Sequence, residues 1–405
     1  MIRDRSIAAL LAGELVSRLG SQLTYLALPW FVLVTTGSPT RMTFVFAAQL
    51  VPMALLGIPA GSVVHKLGPK TSMLIADGAR APIIALVPFL HEVGGLTFGL
   101  ILVVAALNGV FSCAYFTCQR LILPAVVGED EPRLAQANSL VEGATNITQL
   151  LGPALAGVLI AALGAANVMW LDAASFVLAF SLIATFVRVG RESFADDADA
   201  GGVLAGLRYL RRDTLVLRAS ISSLTFGFLF PMLTVSFPVL AYTQYDHNPR
   251  VAGLLLSAIG GGQVVGSVAA YRLVTRVPPM RMAAVAVVAT AAPLWLLVPH
   301  SPLWLVALAL AICGASIPMI NAPYLGMLST RIPRALRGKV IQSLITINQL
   351  AGPAGLLIAG PLFVRFGVHA VYAVVAVLAT FASANFILAA ISYPVGPPRE
   401  PQAAA

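Results

Sequence analysis

The sequence contains too few charged residues for a water-soluble protein of its length. Asp, Glu, Lys and Arg make up 10 % of its 405 residues, whereas 59 % are hydrophobic. A soluble domain needs roughly 25 % charged residues to cover its surface. The mean hydropathy of +0.89 agrees with this deficit. A soluble globular fold is therefore excluded.

Residues that carry enzyme chemistry are also scarce. The three cysteines all fall inside apolar runs, which favours packing thiols over disulfides or metal ligands. The five histidines are scattered over loop ends without metal-ligand spacing or a nucleophile–base set. The sequence also has no Gly-x-x-x-x-Gly-Lys-Ser/Thr loop and no basic block interleaved with aromatics. We therefore expect no enzyme, cofactor, metal site, ATP-driven pump or nucleic-acid partner.

The most prominent feature present is a series of twelve long apolar runs. A helix that crosses the hydrocarbon needs about 20 such residues, and lipid cannot satisfy the open edge of a sheet. The runs also lack two-residue alternation. The predicted fold is an all-α polytopic membrane protein with spans at 7–34, 43–64, 71–90, 96–118, 136–163, 167–187, 215–242, 251–273, 283–299, 303–328, 341–364 and 368–392.

Positive charge is distributed unequally between the gaps that separate these runs. Of the 25 Lys and Arg residues, Arg18 and Arg80 lie within runs, and Arg41, Arg250 and Arg365 lie in odd-numbered gaps. The other 20 lie in the N-terminus, the tail and the even-numbered gaps or, for Arg218 and Arg272, at the ends of runs that border those gaps. Because cytoplasmic loops retain Lys and Arg, we expect both termini to be cytoplasmic. The predicted location is the cell membrane, with the basic loops against anionic lipid.

The chain divides into two similar halves. A polar stretch separates the sixth and seventh runs, and Gln149-Leu-Leu-Gly-Pro in the fifth run matches Gln349-Leu-Ala-Gly-Pro in the eleventh. We predict an N-terminal six-helix bundle (1–190), a cytoplasmic linker with an amphipathic helix (191–213), a C-terminal six-helix bundle (214–394) and a disordered tail (395–405). Paired halves of this kind hold a substrate between them at the membrane midplane in many transporters.

The loop after the second run carries a recognisable motif. Gly61, His65, Lys66, Gly68 and Lys70 resemble the signature loop of the major facilitator superfamily, Gly-x-x-x-Asp-Arg/Lys-x-Gly-Arg/Lys-Arg/Lys, with histidine in the acidic position. In that family the loop tethers two helices at the cytoplasmic face and controls closure. By itself the segment also reads as an ordinary positively charged cytoplasmic loop.

A second motif lies in the fifth run. Gly152, Pro153 and Gly157 resemble the Gly-Pro-x-x-Gly antiporter signature of exporters in this superfamily. The alternative is a kinked packing seam of small residues. The resemblance covers nearly the whole chain and is to the drug- and siderophore-exporting branch, which includes macrolide and tetracycline exporters. The sequence departs from the pattern of that branch at two places. Ser21 stands where an acidic residue is common, and the fourth run contains no charged residue.

Charged residues inside a membrane need a functional or structural reason. Glu14 and Arg18 are one helical turn apart, so we expect them to neutralise each other, with Glu14 as a proton carrier. Glu142 is the alternative proton carrier, and it heads a polar stripe with Asn146 and Gln149 that we expect to face the central cavity. Asp172 is a further proton-coupling candidate, which lies either as an interfacial cap or in the cavity. Asp77 and Arg80 are a candidate gate pair.

The resemblance implies that the first, fourth, seventh and tenth spans line a central cavity. For each aromatic candidate, the alternative is a side chain that faces the lipid. The candidate lining residues are Gln22, Tyr25, Asn108, Asn146, Gln149, Phe226, Phe230, Asn321, Asn348 and Gln349.

These features predict a secondary active transporter that exports small, partly hydrophobic compounds, cations among them, by alternating access and proton antiport. The expected partners are a small-molecule substrate, membrane lipid and protons, and the expected state is a monomer. An importer of the same fold, or a lipid-acting flippase or enzyme, are the alternatives.

Overall fold

The structure is a computed structural model that describes residues 5–127, 131–188, 214–274, 276–332 and 334–391. All regular secondary structure in these ranges is helical. The predicted linker helix (191–213) and tail (395–405) lie outside the described residues.

Each predicted span corresponds to one helix. The helices of the first half are α1 Arg5–Thr36, α2 Pro39–Leu67, α3 Pro69–Glu92, α4 Phe98–Val127, α5 Glu131–Leu163 and α6 Ala165–Phe186. The second half contains α7 Thr214–Gln244, α8 Pro249–Leu273, α9 Pro279–Leu294 with a 3-10 turn at Trp295–Leu297, α10 Leu303–Arg331, and the stretch Arg334–Ile391.

Glycine and proline set the sharp turns between consecutive helices. Gly68 has φ 80° and ends α2, and Pro69 opens α3, where its fixed φ suits the first helical position. Gly367, at φ 77°, interrupts the last stretch and divides it into α11 (334–366) and α12 (368–391). Such short turns place neighbouring helices antiparallel, so the predicted arrangement of twelve spans is confirmed.

Ten stretches of the described chain are long and apolar enough to cross a bilayer. One of them, Ile347–Ile391, passes through the Gly367 turn and so includes two helices. Helix α1 is not among the ten, and its interior carries Glu14, Arg18 and Gln22. It is instead covered by protein, since α2, α5 and α6 all pack against it.

The two ends of the bundle differ in how the halves meet. We call them the Arg5 face, where α1 begins, and the Thr36 face, where α1 ends. On the Thr36 side, one apolar core combines both halves and includes Phe31 of α1 and Leu240 of α7. On the Arg5 side, the described residues form two separate cores, one in each half. The halves therefore pack together from the Thr36 face inward.

Small residues let the backbones of the two halves approach closely at this junction. A methyl group on Gly157 of α5 would lie 2.7 Å from the Pro249 carbonyl oxygen of α8, and one on Gly360 of α11 would lie 3.1 Å from the Thr40 Cα of α2. Helices in membranes associate through such close contacts, because lipid provides no hydrophobic drive between them.

We therefore predict that Gly157→Ala destabilises the protein by about 1–3 kcal/mol, since the added methyl group forces α5 and α8 apart. Gly143→Ala in the same helix is the matched control, because nothing lies within 4 Å of its added methyl group. Thermal unfolding in detergent measures both variants. Equal melting temperatures for the two would show that the α5–α8 contact is not tight.

Candidate functional site

Five charged side chains meet inside the first half of the bundle. Glu14 and Arg18 come from α1, Asp77 and Arg80 from α3, and Asp172 from α6. Glu14, Asp77, Arg80 and Asp172 are buried, with at most 4 % of each exposed. Buried charges need compensating partners, because removal from water is expensive. We call these five residues the buried charge cluster.

Arg80 is the most extensively bonded member of this cluster. Its Nη1 lies 3.9 Å from Asp77 Oδ1. Its Nε donates to Asn108 Oδ1 at 3.0 Å, and its Nη2 donates to Ser21 Oγ at 2.8 Å. The guanidinium also lies 4.0 Å from the centre of the Phe176 ring, a cation–π geometry. Arg80 thus joins α1, α3, α4 and α6.

The two aspartates receive only part of the hydrogen bonding that carboxylates require. Ser17 donates to Asp77 Oδ1 and Ser175 donates to Asp172 Oδ1, each at 3.2 Å. The second oxygen of each carboxylate is buried and has no hydrogen-bond partner within the described ranges. Both aspartates therefore keep an oxygen on which a proton can reside.

Gln119 of α4 links Glu14 to Arg18. Arg18 Nη2 donates to Gln119 Oε1, and Gln119 Nε2 donates to Glu14 Oε2 at 3.1 Å. The amide thus joins the two residues that we expected to neutralise each other, and Glu14 Oε1 has no partner in the described part of the chain. Gln119 was not predicted as a site residue, because the fourth span was predicted to end at residue 118.

The cluster contains unequal numbers of acidic and basic groups. It holds three carboxylates and two guanidiniums, so with every group ionised it carries one net negative charge. Uptake of one proton makes it neutral. In a site shielded from water, where charge interactions are strong, this single proton changes the electrostatic energy of the whole cluster.

The other acidic candidate lies outside the cluster. Glu142 of α5 is exposed, and Asn146 and Gln149 on the same helix are half-buried. The backbone carbonyl of Gln149 faces Gly260 of α8, so this part of α5 lies at the junction of the halves.

The signature loop anchors two helix ends at the Arg5 face. Lys70 Nζ donates to the carbonyl oxygens of Ala184 at 3.2 Å and Val187 at 2.6 Å, at the end of α6. A cation suits this position because the last carbonyls of a helix carry partial negative charge. Lys66 is exposed, and Gly61 and His65 belong to the last turns of helix α2.

The antiporter-like motif positions α5 between α1 and α8. A methyl group on Gly152 would lie 2.7 Å from Cβ of Gln22 in α1. Gly157 contacts Gly253 of α8 in the same close manner, and Pro153 lies between the two glycines. The motif therefore acts as a packing seam in this structure.

A cavity of about 300 Å³ lies inside the second half, from its middle toward the Arg5 face. Three predicted lining residues border it: Phe226 and Phe230 of α7 and Asn321 of α10. Sequence reasoning missed Gln263 of α8 and Tyr324 of α10, because single polar residues in apolar helices give no signal of the direction they face.

The other predicted lining residues have different surroundings. Asn108 accepts a hydrogen bond from Arg80. Tyr25 packs edge-on against Phe46, with ring centres 5.2 Å apart. Asn348 donates at 3.1 Å to Ser223, which itself borders the cavity, and Gln349 is exposed.

The sequence matches the Major Facilitator Superfamily over residues 10–356 and 245–405. The chain belongs to this superfamily. Its similarity to the multidrug efflux pump Tap of Mycolicibacterium fortuitum is 31 % identity over 379 residues, covering 90 % of each chain. The resemblance predicted from the motifs is therefore confirmed.

Solved structures of the superfamily share the same architecture. The nucleoside transporter NupG aligns with a TM-score of 0.76 at 11 % identity over 96 % of this chain and 99 % of that one. A bacterial homologue of the iron transporter ferroportin, in an inward-facing state, aligns with a TM-score of 0.74 at 16 % identity over 95 % and 98 %. The protein is thus a multi-pass membrane transporter of the major facilitator fold.

We predict that Arg80→Met lowers the stability of the transporter by about 3–5 kcal/mol, because it leaves Asp77 and Asp172 buried without their cation. The double variant Arg80→Met/Asp77→Asn should recover part of this lost stability, since it removes one buried charge that has no counter-ion. Arg365→Met is the control, because Arg365 is exposed.

Thermal unfolding in detergent, supported by gel filtration, measures these effects. A melting temperature for Arg80→Met equal to that of the control would contradict a central role for Arg80 in the cluster.

Proposed function

We propose that this transporter exports small, partly hydrophobic compounds from the cytoplasm, drugs among them, in exchange for protons. The similarity to Tap over nine-tenths of both chains supports the drug-exporting direction. The resemblance of the fold to a nucleoside transporter supports transport of small molecules in general, but it says nothing about direction.

The proposed transport cycle is alternating access between the two faces. The excess of Lys and Arg in the N-terminus and the even-numbered gaps assigns the Arg5 face to the cytoplasm. With the halves packed together toward the Thr36 face, the structure then corresponds to a state closed to the outside. Both termini are cytoplasmic in this proposal.

The observation that carries the proton-antiport proposal is the charge balance of the buried charge cluster. Glu14 is the proposed proton carrier, because it reaches Arg18 only through the amide of Gln119, whereas Asp77 lies directly beside Arg80. A proton on Glu14 removes the excess negative charge. We propose that its release and uptake favour opposite-facing states, since a charge change inside a closed site alters which helix arrangement is stable.

We predict that Glu14→Gln reduces export driven by a pH gradient by about tenfold or more, because the side chain keeps its shape but no longer binds and releases a proton. Glu142→Gln is the matched control, since Glu142 is exposed outside the cluster. Proteoliposomes with an imposed pH gradient measure substrate movement and proton movement together.

Substrate exchange without a gradient and export driven by a pH gradient together distinguish the possible outcomes of this experiment. Glu14→Gln should keep substrate exchange in the absence of a gradient, which shows that the protein is folded and binds substrate. Full gradient-driven export by Glu14→Gln, with loss in Glu142→Gln, would contradict the assigned carrier.

Orientation is tested by labelling introduced cysteines in intact cells. Val93 is 63 % exposed in the turn between α3 and α4 at the Thr36 face, and Lys66 is exposed at the Arg5 face. We predict that an impermeant maleimide labels Val93→Cys in intact cells and Lys66→Cys only after permeabilisation. The natural cysteines Cys113, Cys118 and Cys313 are buried, so their background labelling is low. The reverse pattern would overturn the orientation.

A further inference from the structure

We propose that the cavity lined by α7, α8, α9, α10 and α12 binds an uncharged amphipathic molecule. The substrate site then lies in the second half of the transporter, apart from the buried charge cluster in the first half. This inference rests on the proposed function and names the substrate class that the cavity favours.

The cavity is bordered by no charged side chain among the described residues. All of its lining residues in the structure are apolar, hydroxylic, amide, thiol or aromatic. In the sequence, Asp and Glu occur only once between residues 214 and 391, at Asp246. That residue lies in the turn between α7 and α8 at the Thr36 face, whereas the cavity lies toward the Arg5 face.

The polar groups of the cavity suit hydrogen bonding to a neutral molecule. Gln263 and Asn321 each supply an amide that both donates and accepts. The Tyr324 hydroxyl has no hydrogen-bond partner in the described part of the chain. The Thr290 hydroxyl is instead paired with Ser316 at 2.5 Å, so it is already engaged.

The apolar part of the cavity provides aromatic contacts. Phe226 and Phe230 of α7 and Phe386 of α12 border it, and aromatic rings contribute large apolar contact area. A molecule with an apolar or aromatic body and a few carbonyl, amide or hydroxyl groups matches both kinds of surface. Pockets with a mostly apolar lining and few polar groups are typical of small-molecule sites.

A cation would bind less favourably in this cavity. It would lose part of its hydration on entry, and no carboxylate of the described chain replaces that hydration there. Phenylalanine faces attract cations, but they return only part of the loss. The carboxylates of the buried charge cluster lie on α1, α3 and α6, none of which borders the cavity. The cavity therefore selects against permanent positive charge.

The test compares two fluorescent probes that differ in charge. Dansyl amide is uncharged, and its analogue with a trimethylammonium-ethyl group on the sulfonamide nitrogen carries a permanent positive charge. Saturable binding to the purified full-length transporter in nanodiscs is measured for each probe. We expect dansyl amide to bind at least about tenfold more tightly.

Substitutions that place a carboxylate in the cavity should reverse this preference. Asn321→Asp is expected to tighten binding of the cationic probe by about tenfold and to weaken binding of the neutral one. Gln263→Glu is a second variant of the same kind, in case the first does not fold. Asn167→Asp is the matched control, since Asn167 is exposed at the start of α6 outside the cavity, and it should bind as the wild type does.

Three results would overturn the inference. They are equal or tighter binding of the cationic probe to the wild type, no saturable binding of either probe, and an unchanged preference in both carboxylate variants. Gradient-driven transport in proteoliposomes separates this inference from the proposed function. Binding of dansyl amide without pH-driven movement would refute antiport alone, whereas pH-driven export of the cationic probe alone would refute the substrate class alone.

Discussion

The free energy needed to take a charged group out of water governs the arrangement of the first half of this transporter. An isolated arginine or carboxylate in hydrocarbon is strongly unfavourable, yet α1, α3 and α6 each carry such groups. The structure resolves this by surrounding Arg80 with Asp77, Asn108, Ser21 and the Phe176 ring. The first half is thus built around one polar centre, and the charged residues of α1 are tolerated because neighbouring helices pack around them.

The second half follows a different plan. Its helices contain no Asp or Glu, and close packing there depends on small residues, as where Gly262 and Gly266 of α8 meet Ala311 and Ala315 of α10. This packing leaves a cavity with amide, hydroxyl and aromatic groups. The two halves share a helical plan, as the repeated Gln-Leu-x-Gly-Pro segment predicted, but they differ in the chemistry of their interiors.

Much of the fold could be predicted from the sequence, because span length and the distribution of Lys and Arg are direct consequences of the bilayer. Even the break at Gly367 falls in the predicted gap between the last two spans. The site was harder to predict. The bond from Lys70 to the end of α6 joins residues more than a hundred positions apart, and no local pattern reveals it. Gln119 and Gln263 were missed because an uncharged polar residue in an apolar helix can face protein, lipid or cavity with the same sequence signature.

The buried charge cluster also bears on how the chain enters the membrane during synthesis. Its members and their partners lie on α1, α3, α4 and α6, which are made in sequence, so the early helices meet lipid before their partners exist. Helix α1 in particular carries Glu14 and Arg18, and it is made before Gln119 of α4, which bonds to both. We therefore expect α1, α3, α4 and α6 to reach their final arrangement together, since a ribosome-bound chain that stops short of α6 would hold the α3 guanidinium without the aromatic ring that contacts it.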